Sequence, residues 1–249
     1  MQIIPLSEGS FTIDKSKIFV PFRENTDNLQ ERPAGSLLVE IQPFIVVTSR
    51  DVLLLDTGLG YAGGDGEMQL IKNIRAAGIQ PGGITKVLMT HLHKDHAGGV
   101  SDAADRKRLT FPEATYYVQE REYEFAVRKG APSFIPDELT ALKEAPNVHW
   151  LQEDEGVIDG YIHYLLSGAH SPCHQVFRIE EEGEIVFFGG DEAPQLQQMK
   201  HRFVAKYDDN GKKAMELRQQ WWEQGARQGW TFLFYHDIKD PVFHFDTPV

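Results

Sequence analysis

The sequence predicts an α/β protein in which two mixed β-sheets are flanked by helices. Three observations carry that expectation. Short apolar runs alternate with segments of helical period and are followed by one more long helical segment. No break in composition across the 249 residues marks a domain boundary, so residues 1–249 read as one unit. One predicted strand ends in a cluster of histidines, the kind of position where a β-rich scaffold carries its chemistry.

Residues 36–41 and 44–48 read as strands. A turn at 49–51 leads into 52–55, a short apolar run that suggests a buried strand and ends in Asp56-Thr57-Gly58. Met68, Leu70, Ile71, Ile74 and Ala77 recur at roughly helical spacing, and Gly78 supplies a stop. Residues 84–90 form a buried strand that delivers the histidines, and 115–118 and 119–129 read as a strand and a helix. Residues 130–147 hold three prolines and few periodic positions, which leaves open a mobile cover or an ordinary surface excursion. Strands resume at 162–166, 176–179 and 185–188, with Glu181-Glu182-Gly183 as a hairpin turn. A long helix at 209–228 and a strand at 231–235 follow, while 24–32 reads as an early loop or arm.

Composition narrows the function. Hydrophobic residues make up 41% and charged residues 25%, as in an ordinary globular protein rather than a disordered one. The net charge of -12 disfavours a nucleic-acid partner. Cys173 is the one cysteine, so an intramolecular disulfide and a cysteine-based zinc site are both excluded. Met1-Gln2-Ile3-Ile4-Pro5 lacks the basic start and apolar run of a secretory signal. No apolar run approaches the roughly 20 residues that span a bilayer. A cytoplasmic protein with neither membrane nor nucleic acid as partner is the expectation.

The chemistry concentrates in His91-Leu92-His93-Lys94-Asp95-His96, three imidazoles and a carboxylate within six residues. Nitrogen and carboxylate oxygen are the donors that zinc-type ions favour. In a tight loop leaving a strand, His91 and His93 point one way and Asp95 and His96 turn to a second point. Gly98-Gly99 allows the sharp turn and close packing that follow. Further donors stand at strand ends: His170 in Gly168-Ala169-His170-Ser171-Pro172, Asp191 after Gly189-Gly190, and His236. So many ligands exceed the four that one zinc ordinarily takes, which favours two divalent ions. His149, His163, His201 and His244 read as ordinary surface or core residues, and His174 is open, with a supporting role behind the ligands as one option.

Together with Asp56-Thr57-Gly58, the segment from Gly168 to His174, Gly190-Asp191 and His236, the histidine motif makes the chain resemble the metallo-β-lactamase superfamily. The resemblance covers nearly the whole chain in the expected order. It implies an αββα sandwich with the site at one edge of the two sheets. It also implies one metal on His91, His93 and His170, another on Asp95, His96 and His236, and Asp191 bridging them, with Asp56 orienting a ligand histidine. Zinc suits this set first, with iron, manganese or cobalt as alternatives.

The C-terminal stretch is most similar to the branch of acyl-homoserine lactonases and methyl parathion hydrolase. What this implies is hydrolysis of a small-molecule ester, lactone or phosphoester by a hydroxide shared between two metals, with Asp95 as the catalytic proton carrier. Two features depart from the pattern. Cys173 stands where relatives often have glycine, and Glu192-Ala193-Pro194 follows the bridging aspartate where some lactonases have a tyrosine. The alternatives are a thioesterase of the glyoxalase II type and a metal-binding regulatory protein without turnover. Residues of the N-terminal arm, 130–147 and 199–207, among them Phe134, Ile135, Phe203 and Tyr207, are the expected pocket walls.

Overall fold

The structure, a computed structural model, describes residues 1–64 and 66–245. In chain order the strands are β1 (Gln2–Pro5), β2 (Gly9–Ile13), β3 (Phe19–Phe22), β4 (Leu37–Ile41), β5 (Phe44–Val47), β6 (Val52–Leu55), β7 (Lys86–Leu88) and β8 (Thr115–Gln119). They continue as β9 (Val148–Leu151), β10 (Glu155–Ile158), β11 (Ile162–Leu166), β12 (Gln175–Glu181), β13 (Glu184–Phe188), β14 (Trp230–Leu233) and β15 (Val242–His244). The helices are α1 (Gln69–Ala76), α2 (Lys94–Ala97), α3 (Glu120–Lys129), α4 (Thr140–Glu144), α5 (Leu196–Lys200) and α6 (Gly211–Gln228).

One sheet runs β1-β5-β6-β7-β8-β9. It is antiparallel through β6 and parallel from β6 to β9. A second sheet runs β10-β11-β12-β13-β14-β15, antiparallel but for its β13–β14 pair. Both are mixed, and a small β3-β2-β4 sheet stands beside them.

Alternation along β6 shows how the layers form. Leu53 and Leu55 enter the core between the sheets, meeting Phe177, Ile179 and Phe188 of the second sheet. Leu54 points the other way, toward Leu70 and Ile74 of α1. All three leucines are fully buried, as expected of a strand covered on both faces. On the far side, Trp221 of α6 packs with Phe187, Trp230 and Phe232. Helices, sheet, sheet, helix is the αββα order.

Some elements differ from expectation. Strands β1 to β3, β9, β10 and β15 were not apparent in the sequence, and the strand expected over 84–90 ends at Leu88. Residues 130–147 are not an open excursion. They form a 3-10 turn (Pro136–Leu139) and α4, and bury Phe134, Leu139, Ala141 and Leu142 in the outer core. No helix among the described residues is long and apolar enough to cross a membrane.

Candidate active site

The parallel strands β6 and β7 set the site's foundation. Asp56, just beyond β6, takes a left-handed backbone (φ 55°), a conformation that aspartate tolerates better than most residues. Its carboxylate accepts the Thr90 N–H at 2.7 Å and the Thr90 hydroxyl at 2.7 Å, and it holds His96 Nδ1 at 2.8 Å. The turn after Asp56 lies directly on the motif's helix: Thr57 N–H donates to the His96 carbonyl, and Gly98 N–H to that of Gly58. A Cβ at Gly98 or Gly99 would collide with the carbonyl oxygens of Leu59 and Thr57, so the glycine pair permits this approach.

The candidate ligands converge in two sets. The first comprises His91, His93, His170 and Asp191, and the second Asp95, His96 and His236. His93 Nδ1 lies 2.9 Å from His91 Nε2 and 3.1 Å from His170 Nε2. Asp191 reaches both sets. Its Oδ2 is 3.1 Å from His170 Nε2 and 3.9 Å from His91 Nε2. Its Oδ1 is 2.9 Å from His236 Nε2 and 3.1 Å from His96 Nε2. Asp95 Oδ2 stands 3.6 Å from His236 Nε2 and 3.9 Å from that of His96.

The outer ring nitrogens decide which way the lone pairs point. His170 Nδ1 donates to Asp208 (3.0 Å), His96 Nδ1 to Asp56, and His236 Nδ1 to the Glu40 carbonyl (2.7 Å). The Thr90 hydroxyl spends its proton on Asp56, so His91 Nδ1 donates to that oxygen at 3.1 Å. In the neutral imidazole each of these Nε2 atoms is then a lone pair aimed, with His93 Nδ1, into the cluster. Buried His96 Nε2 and Asp191 Oδ1 have no hydrogen-bond partner. Converging lone pairs and carboxylate oxygens repel unless a cation sits among them, so the donor set fits metal ions.

Electrostatics divide the histidines. Burial, reinforced by the imidazoles of His96 and His93, pushes His91 well below the usual histidine range; burial and His170 do the same to His93. Burial opposes ionisation of Asp191, but His236, His96 and His170 hold its carboxyl well below the usual carboxylate range. Burial opposes protonation of His96, His170 and His236, but Asp191 and the other nearby carboxylates raise all three, His96 well above the usual range, so metal ligation displaces protons from these imidazoles.

His174 stands behind the ligands: its Nε2 accepts the Asp191 backbone N–H at 3.2 Å and its Nδ1 meets Ser167 Oγ at 2.9 Å. Cys173 is half-buried with an ordinary negative φ, so its replacement of glycine strains nothing, and burial with nearby Glu122 pushes its thiol up, away from a reactive thiolate. His149 and His201 are exposed; His163 lies beside Glu180, and His244 bonds Thr231 Oγ1.

Other supporting residues escaped sequence reasoning. Glu122 of α3 accepts from Leu92 N–H (3.2 Å) and Ser171 Oγ (3.1 Å), tying the two histidine loops together. Glu192 accepts the N–H groups of Ala169 (2.7 Å) and His170 (2.8 Å). Tyr235 stacks on His96 at 3.9 Å and donates to the Asp95 carbonyl. Tyr235, next to His236, and Glu192, next to Asp191, carried a sequence signal by adjacency, and Glu122 carried none.

A pocket of about 620 Å³ opens over the cluster. His93, Asp95, His170, Asp191 and His236 face it, and Phe19, Leu38, Val39, Phe125, Phe134 and Phe203 form apolar wall. Tyr207 also lines it, its hydroxyl accepting from Gln198 at 3.0 Å; Ile135 lies outside the lining.

Residues 40–221 match the family model of the metallo-beta-lactamase superfamily, and the chain belongs to that superfamily. Among curated relatives, N-acyl homoserine lactonase AttM of Azorhizobium caulinodans is 30% identical over 131 residues, 47% of this chain and 44% of that protein. The atrochrysone carboxyl ACP thioesterase of Passalora fulva is 30% identical over 164 residues, 66% of this chain and 41% of its own. The matches thus span less than half the length of these relatives. Among solved structures, a probable metal-dependent hydrolase from Staphylococcus aureus superposes with a TM-score of 0.76 at 23% identity, covering 98% of this chain and 92% of the other. The dizinc quorum-quenching lactonase AidC, in complex with a product, gives 0.73 at 19%, covering 99% and 90%. These likenesses establish the fold.

Proposed function

We propose that this chain is a metal-dependent hydrolase that opens an ester or lactone bond of a small molecule at a two-metal centre. One observation carries the reading: Asp191 divides its two carboxylate oxygens between the two donor sets, which is the geometry of a bridging ligand. His91, His93 and His170 would hold one ion, and Asp95, His96 and His236 the other. Zinc suits this nitrogen-rich set best, with iron, manganese and cobalt also compatible. When bound, such ions supply Lewis acidity and lower the pKa of a coordinated water from about 15.7 toward about 7.

The chain's own residues do the rest. Asp56, Asp208 and the Glu40 carbonyl lock the imidazole tautomers, so no ligand reorganises during turnover. Asp95 gives Oδ2 to its donor set and faces the pocket, so its other oxygen accepts a proton from the attacking water and returns it to the leaving group. The phenylalanine walls exclude water and seat an apolar acyl portion.

Relatives named as lactonases support a lactone or ester over a phosphoester. The thioesterase relative favours a second reading, cleavage of a thioester by the same groups. A rate comparison across lactones, aryl esters, thioesters and phosphoesters on the zinc- and manganese-loaded protein tests both. Turnover of lactones or aryl esters above the other classes, abolished by a chelator and restored by metal, is expected. Thioesters as the best class would install the second reading, and bound metal with no hydrolysis of any class would refute both.

A further inference from the structure

The chain is acidic, with a net charge of -12, yet three lysines from separate elements line the same pocket. Lys17 sits in the turn between β2 and β3, half-buried, with a left-handed backbone (φ 59°). Lys94 opens α2 within the histidine motif, also half-buried, its ammonium 5.6 Å from the centre of the Phe19 ring. Lys129 ends α3 at the outer edge. Among the described residues, none of the three ammonium groups has a carboxylate within ion-pair distance.

The pocket's own carboxylates do not neutralise them. Asp95 and Asp191 face imidazoles, and Asp208 is taken by His170 with Arg218 at 3.9 Å. Asp209 is exposed, on the segment before α6. Lys17 and Lys94 are half-buried and Lys129 stands exposed at the rim, and ammonium groups left without a paired carboxylate along a cleft attract an anion to it.

We propose that the substrate carries an anionic group, a carboxylate or a phosphate, remote from the bond that is cut and bound by Lys17, Lys94 and Lys129. This rests on the hydrolase reading for the bond and adds the charge of the substrate. The apolar wall of the same pocket would seat the carbons that separate the anion from the scissile carbonyl.

The test compares p-nitrophenyl butyrate with mono-p-nitrophenyl glutarate and with an acyl ester ending in a phosphate, on the metal-loaded full chain. The anionic esters are expected to show kcat/KM about tenfold higher at low ionic strength, the gap closing as salt rises. The larger gain of the two identifies carboxylate or phosphate. In the Lys17→Glu/Lys129→Glu double variant the ratio of anionic to neutral rates inverts. A second arm reads the lysines without turnover: calorimetric binding of glutarate against butyrate, which differ by the remote carboxylate. Glutarate should bind more tightly to the parent protein and lose that advantage in the variant. If none of these esters is turned over, this arm still decides the lysines, and the hydrolase reading is judged by the lactone and thioester rates. Equal or better use of the neutral partner, with a ratio that charge reversal does not move, would overturn the proposal.

Discussion

The two donor sets that meet at Asp191 are held by different parts of the fold. The set containing His96 is fastened to the sheet core. Its anchor Asp56 has no exposed side chain, is bonded to Thr90, and sits in a turn strapped to α2, while Tyr235 covers the ring. The set containing His170 is fastened to the pocket wall. Its anchor Asp208 belongs to the segment between α5 and α6, which also supplies Phe203 and Tyr207 and is braced by Arg218 through the Phe203 carbonyl at 2.6 Å. One half of the centre therefore answers to the scaffold and the other to the surface that meets substrate. Changes in the wall can tune one ion's environment while the other stays fixed.

That contrast can be broken by substitution. The largest effect is expected from Asp56→Asn, which removes the acceptor of the His96 Nδ1–H and of the Thr90 hydroxyl together. Affinity for one ion should fall about 10- to 100-fold, and the second should be retained. Asp208→Asn should weaken the other ion, at the lower end of about tenfold, because Glu192 still holds the His170 backbone. Titration with a competing chelator checks both, and equal loss of both ions in either variant would erase the distinction.

The smallest effect concerns the support beneath the Asp56 turn. Buried Glu8 accepts the Leu59 N–H at 2.6 Å, yet burial carries its carboxyl up to about 8. The folded chain thus keeps a proton that an unfolded chain, with an ordinary value near 4.5, has released. Glu8's contribution to stability is full below about 4.5 and is lost as pH rises through about 8. The melting temperature of the parent should fall relative to Glu8→Gln between those limits; a constant difference would show that Glu8 is not protonated in the fold.

The same division governs what the sequence reveals. The ligands of both sets are legible because they are contiguous or stand just beyond strong strands: His91 to His96 after β7, Asp191 after β13, His236 after β14. The long apolar runs of β6 and β13 and the helical period of α6 likewise carry the sandwich. The wall that anchors His170 is not legible. Asp208-Asp209-Asn210 looks like any polar helix start, and Asn210 does cap α6 through Lys213 N–H. Lys17, Lys94 and Lys129 are solvated lysines until folding brings three elements to one pocket. Strands such as β9, Val-His-Trp-Leu behind Pro146, are too short for alternation to declare them. The prolines of 130–147 obscured a segment whose burial depends on tertiary packing.

The central claim is that Asp191 joins two metal ions. Metal content by mass spectrometry, measured with ester turnover on the parent and on Asp191→Ala, tests it most directly. Two ions per chain in the parent, at most one in the variant, and a rate reduced by about a thousandfold or more are expected. Two ions and an undiminished rate in Asp191→Ala would contradict it.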